Sequence, residues 1–513
     1  MTAVPSFHGP VVAPHARAGL HTRWFWLACV LLSVLLVVPL WVHEYPGMTD
    51  YPNHLARAQL IVDEHLHRQA HPYYVLRHAL IGNLALDTLV PLWVHAGMDT
   101  NQALRLFAGL ALLLPVAGVI ALAWVLQGGT PWLALLVFAL AHSRYYAWGF
   151  LNYFFSLGVA LLMFTLWVGL RGKRVRLAAL ALALLGPLVM SAHLMGFGVL
   201  VLLVLSREGW LFWRHRAEPL PGRLKAALPT LCALAACALL YLLAFERGLG
   251  LDMHWYDTPA SKLRNLASPF MAYDIPPGLA VMALVVGVIL WLWRSGRLAL
   301  QAGWWAPVGL LVMTFVVMPS VIMNSHYAGA RLLVVAALIF LAFATMRADK
   351  RAQTAVVVVA LAATAIRLAE VQTHWAVTSA RTAVLREALH VVPLGAKVAT
   401  VVSVGQLSYS ELFPLRHVAS FAIIDREAFV PNFFGFPFNG ESVAFRPAAA
   451  ALTALLNKDE LIFWRDKPID WASICSHYDV LLVIEQGHKP ALPACVARVL
   501  STGPGYGVYA LRG

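Results

Sequence analysis

Apolar runs close to the length of a bilayer crossing recur along most of this 513-residue chain, from Trp24 to about Glu370. A helix needs roughly 20 apolar residues to cross a membrane. Composition agrees, because 60% of the residues are hydrophobic and 12% are charged, against about 25% charged in soluble domains. We therefore predict a polytopic α-helical membrane protein.

The formal net charge of +13 comes from basic residues in short clusters between the apolar runs. Cytoplasmic loops of membrane proteins are built in this way, so we discount nucleic acid as a partner. Four clusters are assigned to the cytoplasm: Arg171, Lys173, Arg174 and Arg176; Arg207 through Lys225; Arg294 with Arg297; and Arg347, Lys350 and Arg351.

These clusters predict about eleven spans, a cytoplasmic N-terminal tail (1–23) and a transmembrane domain (24–372). The first apolar run lacks a small-residue cleavage site, which favours an uncleaved first helix. Outer loops are expected at 43–102 and 245–277, and Ser191 to His193 form the outer tip of a helical hairpin. Further spans are expected at about 103–126, 131–144, 153–170, 226–244, 278–293, 303–322, 329–346 and 352–370.

From about Thr373 the long apolar runs end, and strand-like segments alternate with helical ones. This predicts a small extracytoplasmic α/β domain at 373–513. Cys475 and Cys495 could pair there, closing a loop of about 20 residues, or remain two free thiols. The strand-like segments are AKVATVVSV, HVASFAII, YDVLLVIE and YGVYALRG.

The segment GMTDYPNHLAR, residues 47–57, follows the first apolar run almost at once. Pro52 suits the start of a helix, so Thr49 or Asp50 could be only a helix cap. The helix that follows is amphipathic and would rest on the membrane surface, as would the apolar segment 80–97.

Asp50 would then lie at the outer lipid boundary, where a carboxylate can orient or deprotonate a hydroxyl acceptor. His54, one turn away, could share a proton or a divalent metal ion with it. An Asp and a His four residues apart supply at most half of a metal site. We assign both residues as candidate catalytic groups.

Such a reaction also needs cations, because the leaving group is a phosphate. Arg331 in NSHYAGARLL and Arg144 in AHSRYYAWGF lie nearest to apolar sequence. Residues near helix ends can instead snorkel to water, and a lone histidine is more often structural. The further substrate-binding candidates are Arg57, His193, Lys262, Arg264 and His326.

Aromatic residues crowd two predicted outer segments, YYAWGFLNYFF and FVPNFFGFPFNG. They either form an interfacial belt or line a wall for a lipid tail or sugar ring. No Walker loop, dinucleotide fingerprint, HExxH or GxSxG motif is evident, so nucleotide-driven pumping and serine hydrolysis lack support.

This layout resembles the GT-C superfamily of membrane glycosyltransferases, which includes protein mannosyltransferases and lipid A aminoarabinose transferases. The resemblance rests on the long first outer loop with an acid near its start, about eleven spans and the extracytoplasmic C-terminal domain. The segments TDYPNHLARAQL and WGFLNYFFSLGVAL look like parts of uncharacterised bacterial members. The resemblance implies a polyprenyl-phosphate-linked sugar donor and a catalytic Asp that corresponds to Asp50. Many members carry two adjacent acids there, whereas Asp50 is followed by Tyr51.

The resulting hypothesis is a glycosyltransferase of the bacterial cytoplasmic (inner) membrane, which passes the sugar to a lipid, glycan or protein acceptor at the outer face. One alternative is a transporter or flippase for a lipid-linked sugar, which predicts internal repeats and broken helices near the midplane. We see no repeat. Another alternative is a non-catalytic assembly subunit, in which Asp50 would only cap a helix.

Overall fold

The computed structural model describes residues 19–245, 253–322, 325–347, 349–404, 412–434, 442–455, 462–464, 469–486 and 490–512. Most of the predicted N-terminal tail and the end of the second aromatic segment lie outside them. The helices are α1 Gly19–Val42, α2 Tyr51–Leu66, α3 Ala85–His95, α4 Thr100–Gln127, α5 Val137–Ala141, α6 Arg144–Trp148, α7 Leu151–Arg171, α8 Val175–Ala192, α9 Leu194–Arg214, α10 Leu220–Ala244, α11 Pro259–Asn265, α12 Ile275–Arg294, α13 Trp305–Val317, α14 Arg331–Phe343, α15 Lys350–Leu389, α16 Phe421–Arg426, α17 Pro447–Leu455 and α18 Trp471–His477.

Short strands accompany the helices, and three helical turns in the described part of the chain are of the 3₁₀ type: Trp132–Leu136, Ser268–Phe270 and Val418–Ser420. The strands are β1 Tyr74–Leu76, β2 Met253–His254, β3 Leu298–Leu300, β4 Val321–Ile322, β5 Ser325–His326, β6 Ala344–Met346, β7 Val398–Val404, β8 Val443–Phe445, β9 Ile462–Trp464, β10 Val480–Gln486, β11 Val496–Gly503 and β12 Tyr506–Leu511.

The chain is a multi-pass helical membrane protein. Within the described ranges, eight helices are long and apolar enough to cross a bilayer, namely α1, α4, α7, α8, α9, α10, α12 and α15. The shorter apolar helices α13 and α14 add two, so the expected eleven spans are not confirmed. The span expected at 131–144 is instead a 3₁₀ turn followed by α5, each of five residues. At about 2.0 Å per residue for the 3₁₀ turn and about 1.5 Å per residue for the α-helix, the two pieces together are too short to cross a membrane.

The four basic clusters meet at one end of the helix bundle. Arg171 pairs with Glu208 and donates to the carbonyl of Ala226 at 2.9 Å. Arg207 donates to the carbonyl of Ala302 at 2.9 Å, and Arg297 pairs with Asp349. The expected hairpin is present as α8 and α9, which meet at His193 at the opposite end.

Helix α7 lies at the centre of the bundle, where it packs on α4, α8 and α9. A Cβ atom at Gly158 would lie 2.3 Å from that of Leu114, and one at Gly118 would lie 2.6 Å from that of Leu161. Small residues of this kind let membrane helices pack backbone to backbone. Residues 144–150, which directly precede α7 in the chain, are therefore attached to a closely packed helix.

Helix α15 has 40 residues, about 60 Å of helix, and joins the bundle to the C-terminal domain. The predicted boundary at 373 falls within it. Beyond the helix lies a five-stranded sheet in the order β11-β12-β10-β7-β9, with β7 parallel to both neighbours and β12 antiparallel to both of its own. The structure pairs Cys475 with Cys495 in this domain.

The prediction that HVASFAII is a strand is wrong, because the segment forms the 3₁₀ turn Val418–Ser420 followed by α16. Its apolar residues show no polar alternation, so periodicity could not separate a buried strand from a buried helix. Contacts with α2 and α15 decide in favour of the helix.

The expectation that α2 rests on the membrane surface is also wrong. Its polar residues Asn53, His54 and Arg57 are buried, and the helix packs against α3, α4 and α16. Strand β1 of the predicted first outer loop pairs with β8 of the C-terminal domain, so that domain covers α2. Burying the polar face of α2 creates the candidate site.

Candidate active site

Asp50 lies at the N-terminus of α2, just after α1. The N–H groups of Thr49 and Asp50 donate to the carbonyls of Ala147 at 3.3 Å and Trp148 at 2.9 Å. The Asp50 side chain is only 7% exposed. It makes no capping hydrogen bond, although the residue occupies the N-cap position. Helix capping therefore does not account for the carboxyl group.

Gly149 allows this close packing. Its φ of +106° is unfavourable for residues with a Cβ atom, and such an atom would lie 2.9 Å from the Cβ of Asp50. The Gly149 carbonyl accepts a hydrogen bond from Nε2 of His54 at 2.8 Å. The turn after α6 therefore positions both candidate catalytic residues.

We expect Gly149→Ala to destabilise the protein more than Gly128→Ala does. Both glycines have positive φ, which costs alanine about 1 kcal/mol, but no atom lies within 4 Å of a Cβ at Gly128. The overlap with Asp50 should add about 1–3 kcal/mol. Thermal unfolding in detergent measures the difference, and equal losses would contradict the close approach.

His54 is neutral in this structure, and its Nε2–H donates to the Gly149 carbonyl. A carbonyl only accepts, so the ring proton is on Nε2, and burial lowers the pKa of His54 to about 3. Its Nδ1 atom is buried and has no hydrogen-bond partner among the described residues. A substrate hydroxyl could donate to this atom.

His417 of the C-terminal domain reaches the same place, and the sequence analysis missed it. Its Nε2 lies 3.5 Å from Oδ1 of Asp50, and the His417 side chain is 6% exposed. The Phe434 ring lies against both histidines, with centroid distances of 5.2 Å to His417 and 5.9 Å to His54. The pair Arg416–His417 in PLRHVAS is a polar signal before an apolar run, but nothing local ties it to Asp50.

The electrostatics of Asp50 combine burial with nearby positive charge. Burial raises the pKa of Asp50 to about 7, while Arg416, Arg331 and Arg57 oppose that rise. A carboxyl group with a pKa near neutrality can both take up and release a proton at physiological pH.

Arg57 forms a buried ion pair with Asp87 of α3, with Nε 2.9 Å from Oδ1. The Ser442 hydroxyl of the C-terminal domain donates to the other Asp87 oxygen. Burial raises the pKa of Asp87, and Arg57 and Ser442 act against it. The ion pair with Asp87 therefore holds Arg57 inside the protein, and the role of Arg57 in substrate binding stays a prediction.

Arg331 begins α14 and is 2% exposed. Its guanidinium carbon lies 3.7 Å from the centroid of the Phe150 ring, and Nη2 donates to the carbonyl of His326 at 2.6 Å. Within the described ranges, its Nε has no hydrogen-bond partner and no carboxylate lies at ion-pair distance from the guanidinium. A buried cation of this kind is costly unless an anion joins it.

Three other candidates lie around Arg331. His193 caps α9 through its Nδ1 atom, and its ring is 5.9 Å from that of Tyr153, on which Arg331 also stacks. His326 contributes its carbonyl to Arg331, while its side chain is exposed. Arg144 begins α6 and, like Arg331, acts electrostatically on Tyr145. All three remain predictions as substrate-binding residues.

Lys262 and Arg264 are not brought to Asp50 by any described contact. The Lys262 ammonium donates to three carbonyls at the end of α13, at 2.7 to 3.1 Å. This is the usual role of a cation at a helix C-terminus. The Arg264 side chain on α11 is exposed.

The structure also bears on the predicted divalent metal ion at Asp50 and His54. Among the residues that the structure describes, no three His, Cys, Asp or Glu side chains are grouped so that they could hold a metal ion. A divalent ion at Asp50 therefore stays a prediction.

Comparison with known proteins finds a structural likeness. No family model matches the chain, and no curated protein matches it. Among solved structures, it is similar to the crystal structure of ArnT from Cupriavidus metallidurans in the apo state, with 13% identity, a TM-score of 0.48, and coverage of 96% of this chain and 98% of that chain.

Proposed function

We propose that the protein is an integral membrane glycosyltransferase of the GT-C type. It transfers a sugar from a polyprenyl-phosphate-linked donor to a hydroxyl group of a lipid, glycan or protein at the outer face of the cytoplasmic membrane. One observation carries the proposal: two neighbouring residues hold the buried Asp50 and the buried Arg331, because Gly149 packs against Asp50 and the Arg331 guanidinium stacks on Phe150. A base and an anion-binding group are the two parts that this reaction needs.

In the proposed reaction, the Asp50 carboxylate takes the proton of the acceptor hydroxyl. The hydroxyl oxygen forms a bond to the anomeric carbon of the sugar, and the bond from that carbon to the phosphate oxygen breaks. The electron pair leaves with the polyprenyl phosphate, whose charge Arg331 and Arg144 stabilise. His54 accepts a hydrogen bond at Nδ1 and orients the acceptor.

The position of the aromatic residues that follow α5 supports the proposal that they form one wall of the donor-binding site. Tyr145 and Trp148 are buried in the protein, which argues against an interfacial belt made of these side chains. The Tyr327 ring lies 5.1 Å from that of Trp148, and the guanidinium of Arg331 stacks on the Phe150 ring. Aromatic faces of this kind suit the apolar side of a sugar ring or a prenyl chain.

The test compares envelope glycans and glycolipids by mass spectrometry in a deletion strain and in the same strain complemented with the wild-type gene. We expect one sugar-sized mass difference to vanish in the deletion and to return on complementation. Purified protein should then form that product from the matching polyprenyl-phosphate sugar. If every glycan persists in the deletion while a lipid-linked sugar accumulates on the inner leaflet, the transporter alternative replaces the proposal.

A further inference from the structure

The C-terminal domain contributes side chains to the site. His417 and Phe434 contact Asp50 and His54, and Arg416 acts electrostatically on the Asp50 carboxyl. None of these groups belongs to the helix bundle. The site therefore consists of two parts of the chain that only the docked domain brings together.

The domain is fixed firmly to the first outer loop. Strand β1 pairs with β8 in three residue pairs, from Tyr74↔Phe445 to Leu76↔Val443. The Tyr74 hydroxyl accepts a hydrogen bond from the N–H of Val430 at 2.9 Å, and the Tyr73 hydroxyl donates to the carbonyl of Gly395 at 2.5 Å. Helix α2 itself packs against α16 and against the 3₁₀ turn Val418–Ser420, which directly follows His417.

We propose that His417 is a positioning residue for the Asp50 carboxyl, delivered by the C-terminal domain. The inference rests on the proposed function, in which Asp50 takes the proton of the acceptor. It deepens that function by assigning the domain to the proton-transfer side of the site.

The positioning role follows from the chemistry of the two groups: the neutral imidazole of His417 lies beside the Asp50 carboxyl, which changes its protonation state during the proposed reaction. Nε2–H of the neutral ring can donate to the carboxylate oxygen that lies 3.5 Å away. Accepting from the carboxylic acid would require the ring proton on Nδ1, which is buried and has no partner among the described residues, so the ring favours the ionised carboxylate. Burial keeps His417 neutral by lowering its pKa well below the usual value. Among the described residues, Arg57, Arg331 and Arg416 are the charged groups that act on the Asp50 carboxyl, and His54 lies one turn further along α2.

Infrared difference spectroscopy of the purified full-length protein tests the coupling without turnover. The Asp50 carboxyl band is identified as the band that Asp50→Asn removes, and its intensity is then titrated with pH. We expect His417→Phe to raise the midpoint by about one pH unit, a tenfold change in the protonation equilibrium, because the carboxylate loses a donor. His417→Gln keeps an N–H donor and should recover part of this shift. His390→Phe, at an exposed histidine that ends α15, is the matched control and should leave the midpoint unchanged.

An unchanged midpoint in His417→Phe, with a folded protein, overturns the positioning role and leaves the proposed function standing. If His417→Phe does not fold, His417→Gln decides, since a midpoint equal to that of the wild type then overturns the proposal. If the midpoint moves but the envelope glycans of the deletion strain are unaltered, the coupling holds and the proposed glycosyl transfer is wrong. The two failures are therefore distinguishable.

Discussion

Asp50→Asn is expected to abolish formation of the sugar-bearing product without lowering the stability of the protein at pH 8. The Asp50 side chain makes no capping bond, so the amide removes no helix cap. Burial raises the pKa of Asp50 to about 7, so the folded protein carries the ionised carboxylate at pH 8 at a cost that a neutral amide does not have.

The same shift predicts how stability depends on pH. Between about pH 4 and pH 7 the native state retains a proton that the unfolded state has lost, so wild-type stability falls as the pH rises through this window. Above about pH 7 both states are ionised, and this contribution becomes constant. Asp50→Asn should lack this part of the pH dependence.

Thermal unfolding at several pH values and mass spectrometry of envelope glycans measure the two effects. The matched control is Asp99→Asn, because Asp99 caps α4 by accepting hydrogen bonds from the N–H groups of Asn101 and Gln102. It should retain the product. If Asp50→Asn restores the product fully, the carboxyl is not the base. If it lowers the unfolding temperature at pH 8, Asp50 has a structural role instead.

Replacing Arg331 with methionine is expected to lower affinity for the phosphate of the donor by about 10- to 150-fold, because a hydrogen bond to a charged group contributes roughly 1.5–3 kcal/mol. Arg331→Lys keeps the charge but loses the planar stacking on Phe150, so it should recover only part of the affinity. The effect is large because the guanidinium is buried and no carboxylate among the described residues neutralises it.

Undecaprenyl phosphate is the probe for this prediction. Added to the purified wild-type protein, it should raise the unfolding temperature, since a ligand that binds only the native state stabilises it. Arg331→Met should show little of this rise at the same concentration. Arg264→Met replaces an exposed arginine of the predicted outer loop and should respond like the wild type. An equal rise in Arg331→Met would place the phosphate elsewhere.

Much of the fold follows from the sequence, because the apolar runs that become α4, α7, α10 and α12 are long, continuous signals. The hairpin tip at His193 and strands β7, β10 and β12 also lie within predicted segments. The span at 131–144 could not be predicted correctly, since its apolar run does not reveal that tertiary packing buries two short pieces instead of one crossing helix.

The sequence by itself determined that the chain is a helical membrane protein with a small α/β domain, and it selected Asp50, His54 and Arg331 as candidates. Only the tertiary structure decided that α2 is buried, that Arg57 pairs with Asp87, and that His417 lies beside Asp50. The physical reason is the distance along the sequence between the residues that interact. Helix and strand formation depends on neighbours within a few residues, whereas the environment of Asp50 combines groups about 100 to 370 residues away in the chain, of which His417 meets it only when the C-terminal domain docks.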